Sequence, residues 1–264
     1  MKVCSRILLT IYECAVFYGG LLFFGLLCLL WSPVAAILRP LLPRRLGCRI
    51  GRLMIMAVFR LFLASLAWSG RFRFDLGALD TLRGEPALVI APNHPSLWDA
   101  VLVVSRLPDV ACIMKDQIVN NFFLGAGARL ASYIRNDSLR QMISLSIENL
   151  QAGSQLLLFS EGTRTVRHPI GPLKGSIGVI ACRANAPVQT VIIETDSAFL
   201  TKGWPVHKRP RMPMTYRVRL GKRFPPPQDS AAFTAELEQY FQQELASRPA
   251  PDSVTAALPG ATID

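Results

Sequence analysis

A histidine and an aspartate, His94 and Asp99, share the segment Ala91-Pro-Asn-His-Pro-Ser-Leu-Trp-Asp99. A carboxylate that holds an imidazole by one nitrogen leaves the other free to take a proton from a hydroxyl, which is general-base chemistry. Pro95 disfavours helical geometry at His94 and keeps it on a loop. Were both residues on one helix, their spacing would turn them about 140° apart. The dyad therefore requires His94 on a loop that folds back onto an Asp99 in the first helical turn. On these two residues alone, an Asp99 that merely caps a helix beside an ordinary loop histidine fits as well. A second charged stretch, Ser160, Glu161, Gly162, Thr163, Arg164 and Thr165, follows the apolar run Gln155–Phe159. Such a loop can present Arg164 and backbone N–H groups to an anion. Arg135, in Ser132-Tyr-Ile-Arg135, is another cation behind a short apolar run. Taken singly, each arginine also fits a solvated loop.

These residues need a scaffold that brings distant loops to one edge. Past Trp68, short β runs alternate with helical stretches, the sign of an α/β fold with a mostly parallel central sheet flanked by helices. The candidate strands are Ala87–Ala91, Val110–Met114, Gln155–Phe159, Val188–Ile193 and Met214–Leu220. His94 and the Glu161–Arg164 loop then follow strands, at the carboxyl ends where open α/β sheets bind ligands. Leu139, Met142, Ile143, Ile147 and Leu150 fall at helical spacing, with Asp137 as the expected N-cap and Gly153 as the stop. In Met214–Leu220, apolar residues alternate with Thr215, Arg217 and Arg219, giving one buried and one basic face. After Asp229/Ser230 comes an amphipathic helix with Phe233, Leu237, Tyr240, Phe241 and Leu245 on its apolar side. Residues 248–264 read as a disordered tail.

The 25 residues from Ile7 to Trp31 carry a single charge, Glu13. That length crosses a hydrocarbon core of about 30 Å as a helix, and it exceeds the apolar core of a cleaved signal. A second apolar stretch, Leu53–Trp68, contains Arg60 and suits a helix in the interface with that arginine snorkelling. The two can equally form a monotopic hairpin. Arg39, Arg44, Arg45, Arg49 and Arg52 follow the first stretch, against Lys2 and Arg6 before it, which places the rest of the chain in the cytoplasm. The six cysteines have no metal or redox spacing and read as small apolar residues in a reducing compartment.

The chain has 264 residues, 51% hydrophobic, with a net charge of +11. Its basic excess sits in two blocks: residues 1–75 hold 10 Lys/Arg against 2 Asp/Glu, and residues 202–223 hold 8 against none. Beside such apolar neighbours, basic blocks point to anionic lipid or an acidic partner rather than nucleic acid. The expected division is a membrane-anchoring segment (1–68), a catalytic domain (69–247) whose sheet folds without the anchor, and the tail (248–264).

The blocks NHPSLWD, SYIRN, FSEGTRT and APVQTVII resemble, in order and spacing, those of the glycerolipid acyltransferase family, over roughly residues 70–225. The familiar members of that family are the 1-acyl-sn-glycerol-3-phosphate acyltransferases. The resemblance implies a catalytic dyad of His94 and Asp99. It also implies acceptor binding through Arg135 and Glu161-Gly162-Thr163-Arg164, and a wall of the site near Pro187. Two departures stand out: Ser160 replaces the usual proline, and Gln189-Thr190 replace a common valine-proline. The segment from Leu200 to Pro205, with the basic stretch Lys208–Arg211, resembles a subgroup found with bacterial aryl polyene clusters.

The activity so implied is transfer of a fatty acyl group from a thioester, on coenzyme A or acyl carrier protein, to the hydroxyl of a lysophospholipid such as 1-acyl-glycerol-3-phosphate. The place would be the bacterial inner membrane, with the catalytic domain cytoplasmic. No cofactor or metal is needed, because a thioester is already activated. Two other readings are a lipid hydrolase using Ser96 and a catalytically silent membrane-bound binder of lipid or carrier protein. The absence of a G-x-S-x-G elbow counts against the hydrolase.

Overall fold

A computed structural model describes residues 2–246, so the tail expected over 248–264 lies outside the described residues. Two long helices come first, α1 (Lys2–Leu41) and α2 (Arg44–Trp68). There follow β1 (Phe72–Asp75), a 3-10 turn (Gly77–Leu82), β2 (Val89–Pro92), α3 (Asp99–Val104), β3 (Val110–Met114), α4 (Asp116–Val119) and α5 (Gly125–Leu130). The chain continues through β4 (Ile134–Arg135), α6 (Leu139–Gln151), β5 (Gln155–Leu157), α7 (Ser176–Ala184), β6 (Val188–Thr195), β7 (Met214–Phe224) and α8 (Ser230–Ala246). The strands form one seven-stranded sheet in the order β1-β7-β6-β2-β5-β3-β4. β2 to β6 are parallel, while β7 turns back antiparallel to β6 and carries β1 beside it. This is the mostly parallel α/β sheet expected from the sequence, with β1 and β4 added at its two edges. Both added strands are too short to show alternation.

Each face of the sheet has its own core. On one side, Met142 and Leu150 of α6, Ile177 and Ile180 of α7, and Phe233 and Leu237 of α8 pack on the strands. On the other, Phe62, Leu63 and Leu66 of α2 join Leu102 and Val103 of α3. A helix expected to lie in the membrane interface thus covers part of one sheet face. The packing argues against the expectation that the sheet folds without residues 1–68, because removing α2 would strip apolar side chains from that face. Helix α6 is capped by Ser138, whose hydroxyl accepts the Gln141 N–H at 3.4 Å, and not by Asp137. Asp137 is drawn aside to Arg135 at 3.0 Å.

Arg52, expected only as one of the basic residues that follow the first apolar stretch, is built into the domain. It is 2% exposed, donating to Ala131 O, Asp109 Oδ1, Ser154 Oγ and Asn149 Oδ1. One guanidinium therefore ties α2 to α6 and to the loops before β3, β4 and β5. Beside it, Gly51 allows backbone contact: a Cβ there would lie 2.6 Å from Ala131 N. Arg60, by contrast, is exposed, as a snorkelling residue should be.

Helix α1 lies along the α/β domain. Near its start, Tyr12 donates to Ser69 O at 2.7 Å and Glu13 pairs with Arg71 and Arg209. Farther on, Ser32 donates to Phe123 O at 2.6 Å. Glu13 and Ser32 stand about 28 Å apart along a helix, so the helix is held to the domain at both ends of that stretch. Its other side exposes Leu8, Ile11, Leu22, Leu26, Leu30 and Ile37. Both α1 and α2 have the length and apolarity to cross a membrane.

Candidate active site

The carboxyl end of β2 leads directly into the NHPSLWD segment. Asn93 extends the strand pairing with its side chain, donating from Nδ2 to Ile193 O at 3.0 Å and accepting the Ile193 N–H at 2.7 Å. That amide fixes where His94 leaves the sheet. Asp99 opens α3, as expected, and its Oδ2 meets His94 Nδ1 at 2.8 Å while accepting the Ser96 N–H at 2.7 Å. The imidazole lies flat against Phe159, with ring centroids 3.9 Å apart. With Nδ1 turned to the carboxylate, Nε2 points the opposite way. Asp99 is fully buried, and burial raises its pKa; the hydrogen bond from His94, the Ser96 N–H and the charge of Arg164 oppose that rise. A carboxylate enclosed in this way fixes the imidazole's orientation and tautomer and is available to stabilise an imidazolium.

The second predicted loop meets the first. Thr165 N–H donates to His94 O at 2.8 Å, placing Glu161–Arg164 beside the dyad. Glu161 is buried, and its two carboxylate oxygens accept from Thr165 Oγ1 at 2.6 Å and Gly171 N at 2.8 Å. Burial raises its pKa, against those two hydrogen bonds. It holds the loop closed. Gly162 adopts φ +69°, a left-handed conformation suited to glycine. Arg164 Nη1 donates to Leu200 O at 2.8 Å and Thr201 O at 2.9 Å, so part of the expected anion clamp is occupied in holding the β6–β7 connection.

The remaining expectations fare differently. Arg135 lies in β4, three strands away from β2, roughly 14 Å at the usual strand spacing. There it pairs with Asp116 at 3.3 Å and Asp137 at 3.0 Å, and the structure does not bring it to the dyad. Pro187 is a correction. It precedes β6, whose Val188 pairs with Val89 at the amino end of β2, so it stands at the edge opposite His94 and walls no part of the site. The departures Gln189 and Thr190 knit β6 to β7 around an irregularity in register, donating to Gly221 O at 2.8 Å and Lys222 O at 2.7 Å. Ser96 is fully buried and donates to Phe199 O at 3.2 Å, which removes it as a nucleophile.

Residues missed by sequence reasoning are Asn93, Phe159 and the Phe199–Thr201 stretch. Asn93, Phe159, Leu200 and Thr201 lie inside segments already singled out, but they act through an amide, a ring and backbone carbonyls, contacts that residue type and spacing do not announce. Among the described residues, no group of three or more His, Cys, Asp or Glu side chains is placed to hold a metal ion. A surface groove of about 750 Å³ lies between α6, α7 and α8, lined by Ile143, Val179 and Thr234, and contains none of the site residues named above.

A family model described as Acyltransferase matches residues 73–194, spanning both loops. The chain is 24% identical over 219 residues to the 1-acyl-sn-glycerol-3-phosphate acyltransferase of Pseudomonas aeruginosa, covering 79% of this chain and 80% of that one. Its fold matches the crystal structure of the 1-acyl-sn-glycerophosphate (LPA) acyltransferase PlsC from Thermotoga maritima, with a TM-score of 0.63 at 18% identity, over 95% of this chain and all of that one. Two loops that converge on one sheet edge lie inside the segment that the Acyltransferase model matches, and these likenesses make the chain similar to the 1-acyl-sn-glycerol-3-phosphate acyltransferases, which are O-acyltransferases.

Proposed function

We propose that the protein moves a fatty acyl group from an acyl thioester to the hydroxyl of a lysophospholipid such as 1-acyl-glycerol-3-phosphate. The observation that carries this reading is the His94 Nδ1 to Asp99 Oδ2 contact of 2.8 Å, which leaves Nε2 directed away from the carboxylate. Nε2 takes the proton of the acceptor hydroxyl as its oxygen attacks the thioester carbonyl. The carbon–sulfur bond then breaks, and the leaving thiolate receives the proton. Asp99 stabilises the transient imidazolium, and no acyl-enzyme forms. The backbone of Thr163 and the nitrogens of Arg164 other than Nη1 face the acceptor's anionic head, while Gly162 turns the loop and Glu161 keeps it in place. Arg135 adds a second cation only by releasing Asp116 and Asp137.

The hairpin of α1 and α2 rests in the cytoplasmic side of the inner membrane, apolar outer face in lipid and inner face on the domain. An apolar cavity of about 60 Å³ at the seam, lined by Cys28, Trp31, Ile55, Phe59, Met114 and Tyr133, is a place for part of an acyl tail. No cofactor is required, because the thioester is already activated. The test is full-length protein with a labelled acyl thioester, on coenzyme A or on acyl carrier protein, and a panel of lysophospholipids. Labelled diacyl product supports transfer. Free fatty acid would favour hydrolysis, and unchanged substrate with every pair would leave a binder.

A further inference from the structure

The single acid of α1 is not a stray charge in a lipid helix. Glu13 is 7% exposed and pairs through one oxygen with Arg71 and through the other with Arg209. Arg71 directly precedes β1; Arg209 belongs to the long connection between β6 and β7, residues 196–213. One turn along the same face, Phe17 is buried edge-to-face on Phe199, with ring centroids 5.7 Å apart. Tyr18 adds a hydrogen bond to His207 O at 3.3 Å. Helix α1 therefore grips the connection near both of its ends.

The same connection grips the dyad loop. Phe199 O accepts from Ser96 Oγ at 3.2 Å, and Leu200 O accepts the Leu97 N–H at 3.1 Å. Leu200 and Thr201 also receive Arg164 Nη1. Phe199 packs edge-to-face on Trp98, with centroids 5.1 Å apart, next to Asp99. Leu200 stands at φ +58°, a conformation a leucine holds only when its surroundings impose it. Residues 201–208 close on themselves, with Trp204 Nε1 donating to Lys208 O at 3.0 Å and Lys208 Nζ over the Trp204 ring at 4.9 Å. A shift at Arg209 has a short, braced path to Leu200.

We propose that Glu13 and Arg209 are positioning residues: their ion pair sets the 196–213 connection, which in turn holds the His94–Asp99 loop and Arg164 in working geometry. The anchoring helix is then part of the active site's support as well as a lipid contact. The proposal rests on the acyl-transfer reading for its kinetic consequence, and on geometry alone for its structural one. Losing a side chain that acts only on geometry should lower kcat more than it raises either KM, since misplacing reacting groups by about 1 Å can cost roughly a hundredfold.

The experiment uses full-length protein in mixed micelles and compares wild type with Arg209→Ala, Arg209→Lys and Glu13→Gln. For each, kcat and both KM values are measured with palmitoyl thioester and a lysophosphatidate, together with amide hydrogen exchange over residues 93–98 and 199–204. Arg209→Ala and Glu13→Gln should lower kcat about tenfold or more, with both KM values within about threefold. They should also speed exchange over 93–98, where the Leu97 N–H reports the bond to Leu200. Arg209→Lys, which keeps the charge, should recover most of both. Combining Glu13→Gln with Arg164→Lys should cost less than the two effects added, since both act on one connection. Unchanged exchange over 93–98 in Arg209→Ala and Glu13→Gln would overturn the proposal, as would full kcat in both. A wild type that transfers to no acceptor would sink the acyl-transfer reading instead, and exchange alone would then decide this one.

Discussion

Asp99 carries the sharpest expectations at the residue scale, because it is enclosed and yet holds two donors on one oxygen. His94→Ala should lower transfer on the order of 10²–10⁴-fold, the usual cost of a lost general base. Membrane association, read by flotation, should stay as in the wild type. Asp99→Asn should also lose most activity, and its stability adds a signed test. Burial raises the folded-state pKa of Asp99 above its ordinary 3.8, so the folded chain binds this proton more tightly than the unfolded one. Its contribution favours folding below the ordinary value and is lost as pH rises through the folded-state value. The unfolding midpoint of Asp99→Asn relative to wild type should therefore rise as pH climbs above about 4. A flat or falling difference would contradict that direction. Arg164→Ala should cost roughly ten- to a hundredfold in kcat/KM. An acceptor clamp alone would load that loss onto acceptor KM, whereas an arginine that also holds Leu200 and Thr201 should damage kcat as well.

At the scale of elements, α2 behaves as a domain helix that leaves Leu53, Met54, Leu61 and Trp68 exposed. Arg52→Ala should destabilise the folded protein by about 2–4 kcal/mol, because it breaks a buried charge network, with the half-exposed Asp109 limiting the loss. Arg52→Lys should recover little of it, since an ammonium cannot replace a planar fork serving several acceptors at once. Denaturant melts in detergent give both numbers. The sequence made the parallel strands and the two chemical loops legible, because buried strands are apolar runs and the candidate site residues stand in compact blocks right after them. It concealed Arg52 and Glu13. Each is a charge beside apolar residues, and its partners lie far along the chain, at Asp109 and Arg209. The same distance explains the basic block at 202–223. Arg209, Arg217, Arg219, Lys222 and Arg223 all find carboxylates, on Glu13, Asp75, Glu194, Glu244, Glu236 and Glu85. Arg209 and Arg219 are part-buried and paired within the fold, while Arg217, Lys222 and Arg223 stay exposed in surface ion pairs.

For the molecule as a whole, the hairpin and the sheet share one core. Deleting residues 1–68 should give a fragment that is aggregated or lacks cooperative unfolding, because Phe62, Leu63 and Leu66 leave with the hairpin. Circular dichroism melts and size-exclusion chromatography of residues 69–264 check this, and a soluble fragment with a sharp melt would refute it. Pro187 shows where resemblance misled at this scale, and the neighbouring departures Gln189 and Thr190 serve sheet closure while the chemistry sits at the opposite edge. The ion pair between Glu13 and Arg209 joins residues 196 positions apart. During synthesis, α1 leaves the ribosome long before Arg209 exists, so this ion pair forms only once the β6–β7 connection has been made. The first helix to be made is thus among the last to complete its contacts, and its ion pair to Arg209 closes one of the longest loops in the fold only after the catalytic loops have been translated.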